Sequence, residues 1–220
     1  MDSLLETIVE EKYARYFFND LETPSWILPL HENDFFENVP DLLEDPSEPG
    51  YVKMPSWYAG EYLKRMADHF PQVVKDVALK LMTSNIRAIR TMLEAILLIP
   101  PEFAAQTVDS FSRWAGTPYV KSMMLSHEMG KVMAYLASNG KTKASLKVLR
   151  VLSEPYPEKD TITEGKIIAG TIFDFYWLNK TFQRDLPCLI SADPIGVVEI
   201  LDNKIEKAIQ LELEQENDED

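Results

Sequence analysis

The sequence predicts an all-α protein, an α-solenoid of helical hairpins stacked side by side. Three observations predict it. Glycine is scarce, at 8 of 220 residues, and no long alternating run of β-branched residues offers a strand. Apolar residues recur at helical spacing along most of the chain. One layout also occurs three times: the end of a helix, a polar corner, then an amphipathic helix. It reads LMTSNIRAIRTMLEAI from Leu81, LASNGKTKASLKVLRVL from Leu136 and LISADPIGVVEILDNKI from Leu189. A hairpin of this kind cannot bury its apolar faces alone, so repetition implies stacking against neighbours.

The clearest pair spans Asn85–Ala115. Ile86, Ile89, Met92, Leu93, Ile96 and Leu97 fall on one face of a 3.6-residue period. A two-proline corner follows. Pro101 opens the next helix where a missing N–H is harmless, and Glu102 suits the dipole. Phe103, Ala104, Val108, Phe111 and Trp114 give that helix one apolar side as far as Ala115. Nearer the start, Ser3 and Glu6 make a capping box for a helix carrying Ile8, Val9, Tyr13, Tyr16 and Phe17. Thr23-Pro24 starts a short helix that Pro29 limits, with Trp26, Ile27, Leu30, Phe35 and Phe36 inward.

Residues 38–54 hold three prolines, several acids and Gly50, and read as a solvated connector rather than a binding loop. Helices follow from Pro55 and from Pro71. Another covers SHEMGKVMAYLAS, stopped by Asn139-Gly140, and the next begins at Lys141. The stretch GKIIAGTIFDFYWLNKTFQRDLPCLI is expected to hold a helix ending near Leu186-Pro187. Asp193-Pro194 caps the last helix. The predicted organisation is one helical-repeat domain over 1–211. Within it, 1–37 are N-terminal helices, 38–54 the acidic Pro-rich loop and 55–211 the repeats. Residues 212–220 are expected to form a disordered acidic tail.

Charge is uneven. The net is −14. Residues 1–50 carry −11, residues 210–220 carry −6, and the middle carries +3. The ends repel nucleic acid and anionic lipid. No apolar run approaches a membrane-spanning length, and no basic-then-apolar leader follows Met1. Cys188 is the single cysteine, so no intramolecular disulfide can form. Together these predict a cytoplasmic protein without a membrane partner.

Catalytic and metal motifs fail on inspection. His127-Glu128-Met129-Gly130-Lys131 begins like H-E-x-x-H, but Lys131 replaces the second imidazole and His31 and His69 lie in unrelated segments. Gly140-Lys141-Thr142 resembles the end of a phosphate loop, but Tyr135 stands where its leading glycine is needed. Cys188 has no base beside it and reads as buried packing. Phe173, Phe175, Tyr176 and Trp177 read as core rather than as a stacking platform. No cofactor or metal is expected, and no catalytic residue is singled out.

Several stretches carry a resemblance: FFNDLETPSWILPLHENDFFENVP, the PSWYAGEYL–P–VV run, IPPEFAA, and FYWLNKTFQRDLPCLISADPIGVVEILDNKIEKAI. In them the chain resembles the N-terminal helical-repeat region of large, poorly characterised multidomain bacterial proteins, some associated with defence systems. The resemblance implies a right-handed α-solenoid of HEAT-like hairpins. It also implies a module that precedes further domains, so that this chain is a fragment of a longer protein. The expected function is a non-catalytic protein-interaction module whose partner is another protein or another domain of a larger chain. The alternative is a nucleic-acid-binding or nucleic-acid-processing HEAT-like solenoid. HEAT-like DNA glycosylases show that such folds can be enzymes, but they use a broad cationic groove, which a −14 chain does not favour.

One candidate surface stands out. Arg87 and Arg90 lie off the apolar stripe of the helix from Asn85. Lys143, Lys147 and Arg150 lie off that of the helix from Thr142. The two helices hold equivalent repeat positions, so their outward faces should align as a short basic ridge for an acidic partner segment, the chain's own N-terminal acids included. On the helix from Pro194, Glu199, Asp202, Glu206 and Lys207 would end the ridge.

Overall fold

A computed structural model of the chain describes residues 11–44, 52–115, 125–154 and 175–218. The Ser3–Glu6 capping box lies outside them, and the side chains of Phe175, Tyr176 and Trp177 are likewise outside, with Phe173. Among the described residues the fold is mostly helical. Extended backbone pairs where β1 (Leu43–Glu44) meets β2 (Val52–Lys53), antiparallel, with Leu43 opposite Lys53. No helix among these residues is long and apolar enough to cross a membrane. Packing divides the chain into two compact units, Met1–Thr107 and Val108–Asp220, a division inside the span expected as one domain.

The first unit holds α1 (Glu11–Asp20), α2 (Ile27–Glu32), α3 (Tyr58–Arg65), α4 (Pro71–Lys80), α5 (Ile86–Ile96) and α6 (Pro101–Thr107). Helix α3 packs between α1 and α5, and α4 packs on α2, α5 and α6. Phe18, Ile27, Leu30, Phe36, Tyr62, Leu63, Ile89, Met92, Leu93 and Ile96 are each 1% exposed or less. The predicted stripe of α5 is therefore the core face, with Leu97 at its margin. Phe17, Phe18, Trp26, Phe35 and Tyr62 form an aromatic cluster with ring centroids from 5.1 to 6.0 Å apart. Pro29 does not end the short helix there. It falls in the first turn of α2, where its missing N–H has no helical partner to lose.

Asn85 holds this unit at a corner. Its Oδ1 accepts from the backbone N–H of Arg87 at 3.1 Å and Ala88 at 3.4 Å, capping α5. Its Nδ2 donates to the carbonyls of Pro40 and Pro55, each at 2.9 Å. One buried amide thus fixes a helix start and both flanks of the loop.

The second unit holds α7 (Phe111–Ala115), α8 (Leu125–Ser138), α9 (Thr142–Leu152), α10 (Phe175–Ala192) and α11 (Pro194–Asp218). Helix α8 packs on α9 and α10, and α11 packs on the same two. Leu125, Val132, Met133, Leu136, Val148, Leu149 and Leu189 form the centre. The α8–α9 corner is a Schellman turn. Gly140 has φ of 70°, Lys141 N–H bonds Leu136 O at 2.8 Å, and Gly140 N–H bonds Ala137 O at 3.1 Å. The α10–α11 corner is the predicted cap, with Gly196 N–H donating to Asp193 Oδ1 at 2.9 Å. The third corner joins α4 to α5, so all three helix–corner–helix layouts form.

Four local expectations are corrected. The helix expected over Pro101–Ala115 breaks into α6, a 3-10 turn at Val108–Ser110, and α7. The buried Thr107 hydroxyl donates back to Ala104 O at 2.8 Å, a bond that tightens and bends a helix. Pro187 does not end its helix but sits inside α10. Burial of Leu186 and Leu189 on either side offsets a proline cost of about 3 kcal/mol. Cys188 is exposed, not packed. The acidic stretch from 212 continues α11 as far as Asp218, since Leu, Glu and Gln favour helix.

Candidate functional site

The apolar face of α5 is committed to the core, so its polar positions face outward. Arg87 and Arg90 are both exposed there. They line a recess of about 310 Å³ whose other walls include Trp57, Tyr58, Glu61, Thr91 and Glu94. The sequence puts these side chains together because α3 and α5 pack side by side.

Most charge in the recess is internally neutralised. Lys64 Nζ lies 2.6 Å from Glu61 Oε2 and 2.9 Å from Glu94 Oε2. Arg90 Nε lies 2.9 Å from Glu94 Oε1, and the Thr91 hydroxyl donates to Glu61 Oε1 at 2.8 Å. Burial opposes the Lys64 charge, but Glu61 and Glu94 outweigh it and hold the ammonium above its ordinary pKa. Burial likewise opposes the Glu94 carboxylate, but Lys64 and Arg90 prevail and hold it below the ordinary range.

Arg87 is different. Among the described residues its Nη1 reaches the carbonyl of Met54, at 3.4 Å. No carboxylate among the described residues meets it, which makes it the surplus cation of the recess among those residues. Beside it, Trp57 is 2% exposed and its indole N–H has no acceptor among the described residues. The six-membered ring of Trp57 lies on Gly60 of α3, in the space any Cβ would need. The same tryptophan helps to wall a second, more apolar recess of about 420 Å³, with Phe18, Phe35, Pro40 and Pro55.

The remaining ridge residues belong to the second unit. Lys143, Lys147 and Arg150 are exposed on α9, as the spacing predicted. Lys147 Nζ is held by Asp109 Oδ1 at 2.7 Å. The five predicted residues thus fall into two sets on two units, and Lys147 joins Arg90 in being matched by an acid.

Sequence reading missed a polar cluster between α8 and α10. Arg184 donates to Asp185 Oδ1 at 2.6 Å and to His127 Nδ1 at 2.6 Å. Lys131 bridges the buried Glu128 at 2.9 Å. Burial, then the charges of Arg184 and Lys131, push the His127 pKa down, which favours the neutral ring that can accept from the guanidinium. His127 therefore helps to tie two helices together. Among the described residues no cluster of three or more His, Cys, Asp or Glu is arranged to hold a metal. Comparison with known proteins finds no matching family model, no matching curated protein and no matching solved structure.

Proposed function

We propose that the chain is a non-catalytic helical-repeat module that binds another protein, or another domain of a larger bacterial protein, through an acidic segment. The hairpins are read as a right-handed HEAT-like stack, on the strength of the threefold layout and its corners. The observation that carries the functional reading is Arg87: a guanidinium that meets no carboxylate among the described residues, at the rim of a recess with aromatic walls. An Asp or Glu side chain from a partner would supply the missing charge and make a charge-assisted hydrogen bond. The nucleic-acid alternative is less well supported, because Arg90 and Lys147 are already neutralised by Glu94 and Asp109.

The test is fluorescence anisotropy with a labelled Asp/Glu-rich peptide and, separately, a labelled random DNA duplex. Acidic-peptide binding that weakens at least about tenfold in Arg87→Gln, roughly 1.4 kcal/mol, supports the proposal. Reversing Arg87, Arg90, Lys143, Lys147 and Arg150 to Glu should abolish capture with the helical circular dichroism intact. Peptide binding unaffected by Arg87→Gln would refute the role given to the recess. Tight duplex binding with a steep salt dependence would favour the nucleic-acid reading instead.

A further inference from the structure

Helix α11 has two apolar faces, and the second unit uses one. Val197 and Ile200 are 2% and 4% exposed against α9 and α10. Ile195, Val198, Ile205 and Ile209 are 71%, 65%, 60% and 51% exposed. At 3.6 residues per turn these four fall within an arc of about 80°, on the side away from Val197 and Ile200. The stripe runs for about 21 Å along the helix at 1.5 Å per residue. Isolated exposed apolar residues are ordinary, but four aligned on one narrow face are not.

The charges around the stripe say what would cover it. Asp202 falls inside the stripe, and Glu199 and Glu206 flank it on one side; all three are exposed. The nearby lysines of α11 do not neutralise them, because Lys204 and Lys207 both pair with Glu154 beyond the end of α9. An anionic lipid surface would be repelled by these acids. A second copy laid antiparallel about the stripe's centre would set Asp202 against Asp202. A helix with its own apolar stripe and a lysine or arginine at its middle satisfies both the hydrophobic face and the exposed acids beside it.

We infer that the outer face of α11 is a docking site for a basic amphipathic helix, whose apolar residues cover Ile195, Val198, Ile205 and Ile209 and whose cation meets Asp202. This deepens the interaction reading but does not depend on Arg87, since site and residue lie on different units. The partner's signature is an i, i+3, i+7 apolar pattern interrupted by one basic residue, on a helix of three to four turns.

The probe is a pair of synthetic helical peptides of roughly 18 residues, long enough to hold helix. Both carry the same leucine stripe. One has lysine at its middle and flank, the other glutamate. Titrated into the full chain by isothermal calorimetry, the lysine peptide should bind at least tenfold more tightly. Val198→Ser with Ile205→Ser should weaken it tenfold or more, and Arg87→Gln should leave it unchanged. Asp202→Lys should reverse the preference toward the glutamate peptide. These positions are exposed, so unchanged circular dichroism is expected for every variant. Equal binding of the two peptides, or indifference to the serine pair, overturns the proposal. It is also overturned if light scattering shows a dimer that the serine pair dissociates, or if neutral phosphatidylcholine vesicles compete the lysine peptide away.

Discussion

Replacing Gly130 by alanine tests how closely α8 and α10 approach. An ideal Cβ at this position would lie 2.5 Å from Asp185 Oδ2, and closer still to Thr181 Cγ2. Ordinary heavy-atom contacts need about 3.5–4.0 Å, so more than an ångström must be opened. Neither neighbour is a free tip: Asp185 is buried and held by Arg184, and Thr181 is buried. Relief therefore requires α10 to move. Overpacking of this kind costs about 1–3 kcal/mol. Alanine returns up to about 1 kcal/mol through helix propensity. The expected net loss is about 1–2 kcal/mol, which lowers a urea midpoint by roughly 0.5–1 M at an m-value of about 2 kcal/mol/M. The assay is urea unfolding of the full chain followed by far-UV circular dichroism. In a Thr181→Ser background, which lacks Cγ2, the same substitution should cost less, with a coupling of at least about 0.5 kcal/mol. A stabilising Gly130→Ala, or strict additivity with Thr181→Ser, would refute the reasoning.

Leu93→Ala should destabilise the first unit by about 2–5 kcal/mol, because Leu93 is fully buried on α5; a loss under roughly 0.5 kcal/mol in chemical unfolding would contradict that placement. Asn85→Ala removes the cap of α5 and two loop anchors at once. The expected cost is about 2–4 kcal/mol from a lost cap and unmatched carbonyls, and amide hydrogen exchange should rise at Arg87 and Ala88. Glu94 has a depressed folded pKa, so its contribution is fully present above its ordinary value of 4.5 and is lost as pH falls through the folded value. Lys64→Met should make the melting temperature fall less steeply across that acid window; parallel curves for variant and parent would rule out the coupling.

What could be read in the sequence was what depends on local spacing. The stripe Ile86–Ile89–Met92–Leu93–Ile96 identified the core face of α5, because a period of 3.6 leaves one face to bury. Asn139-Gly140 and Asp193-Pro194 located two corners because turn and cap chemistry is local. Arg87, Arg90, Lys143, Lys147 and Arg150 were legible as exposed for the same reason. Their neutralisation was only half legible: Glu94 is one turn from Arg90, but Asp109 is 38 residues from Lys147. The His127–Arg184 contact spans 57 residues, and no periodicity reports such a meeting. The recess beside Arg87 was hidden likewise, since Trp57 reaches it through the packing of α3 on α5. Pro187 was misread because a local rule was applied where burial of Leu189 outweighs it.

Asn85 ties the start of α5 to both flanks of the acidic stretch after Pro40. Its amide fastens Pro40 and Pro55, and the β1–β2 pair zips the strands between them at Leu43–Glu44 and Val52–Lys53. The ends of the excursion are thus clamped independently of what lies beyond Glu44 and Val52. Both anchors lie on described backbone, so the start of α5 and the flanks Pro40 and Pro55 are held or lost together. Asn85 acts here as a rivet: one side chain passes through a helix start and two chain segments, and its loss releases all three.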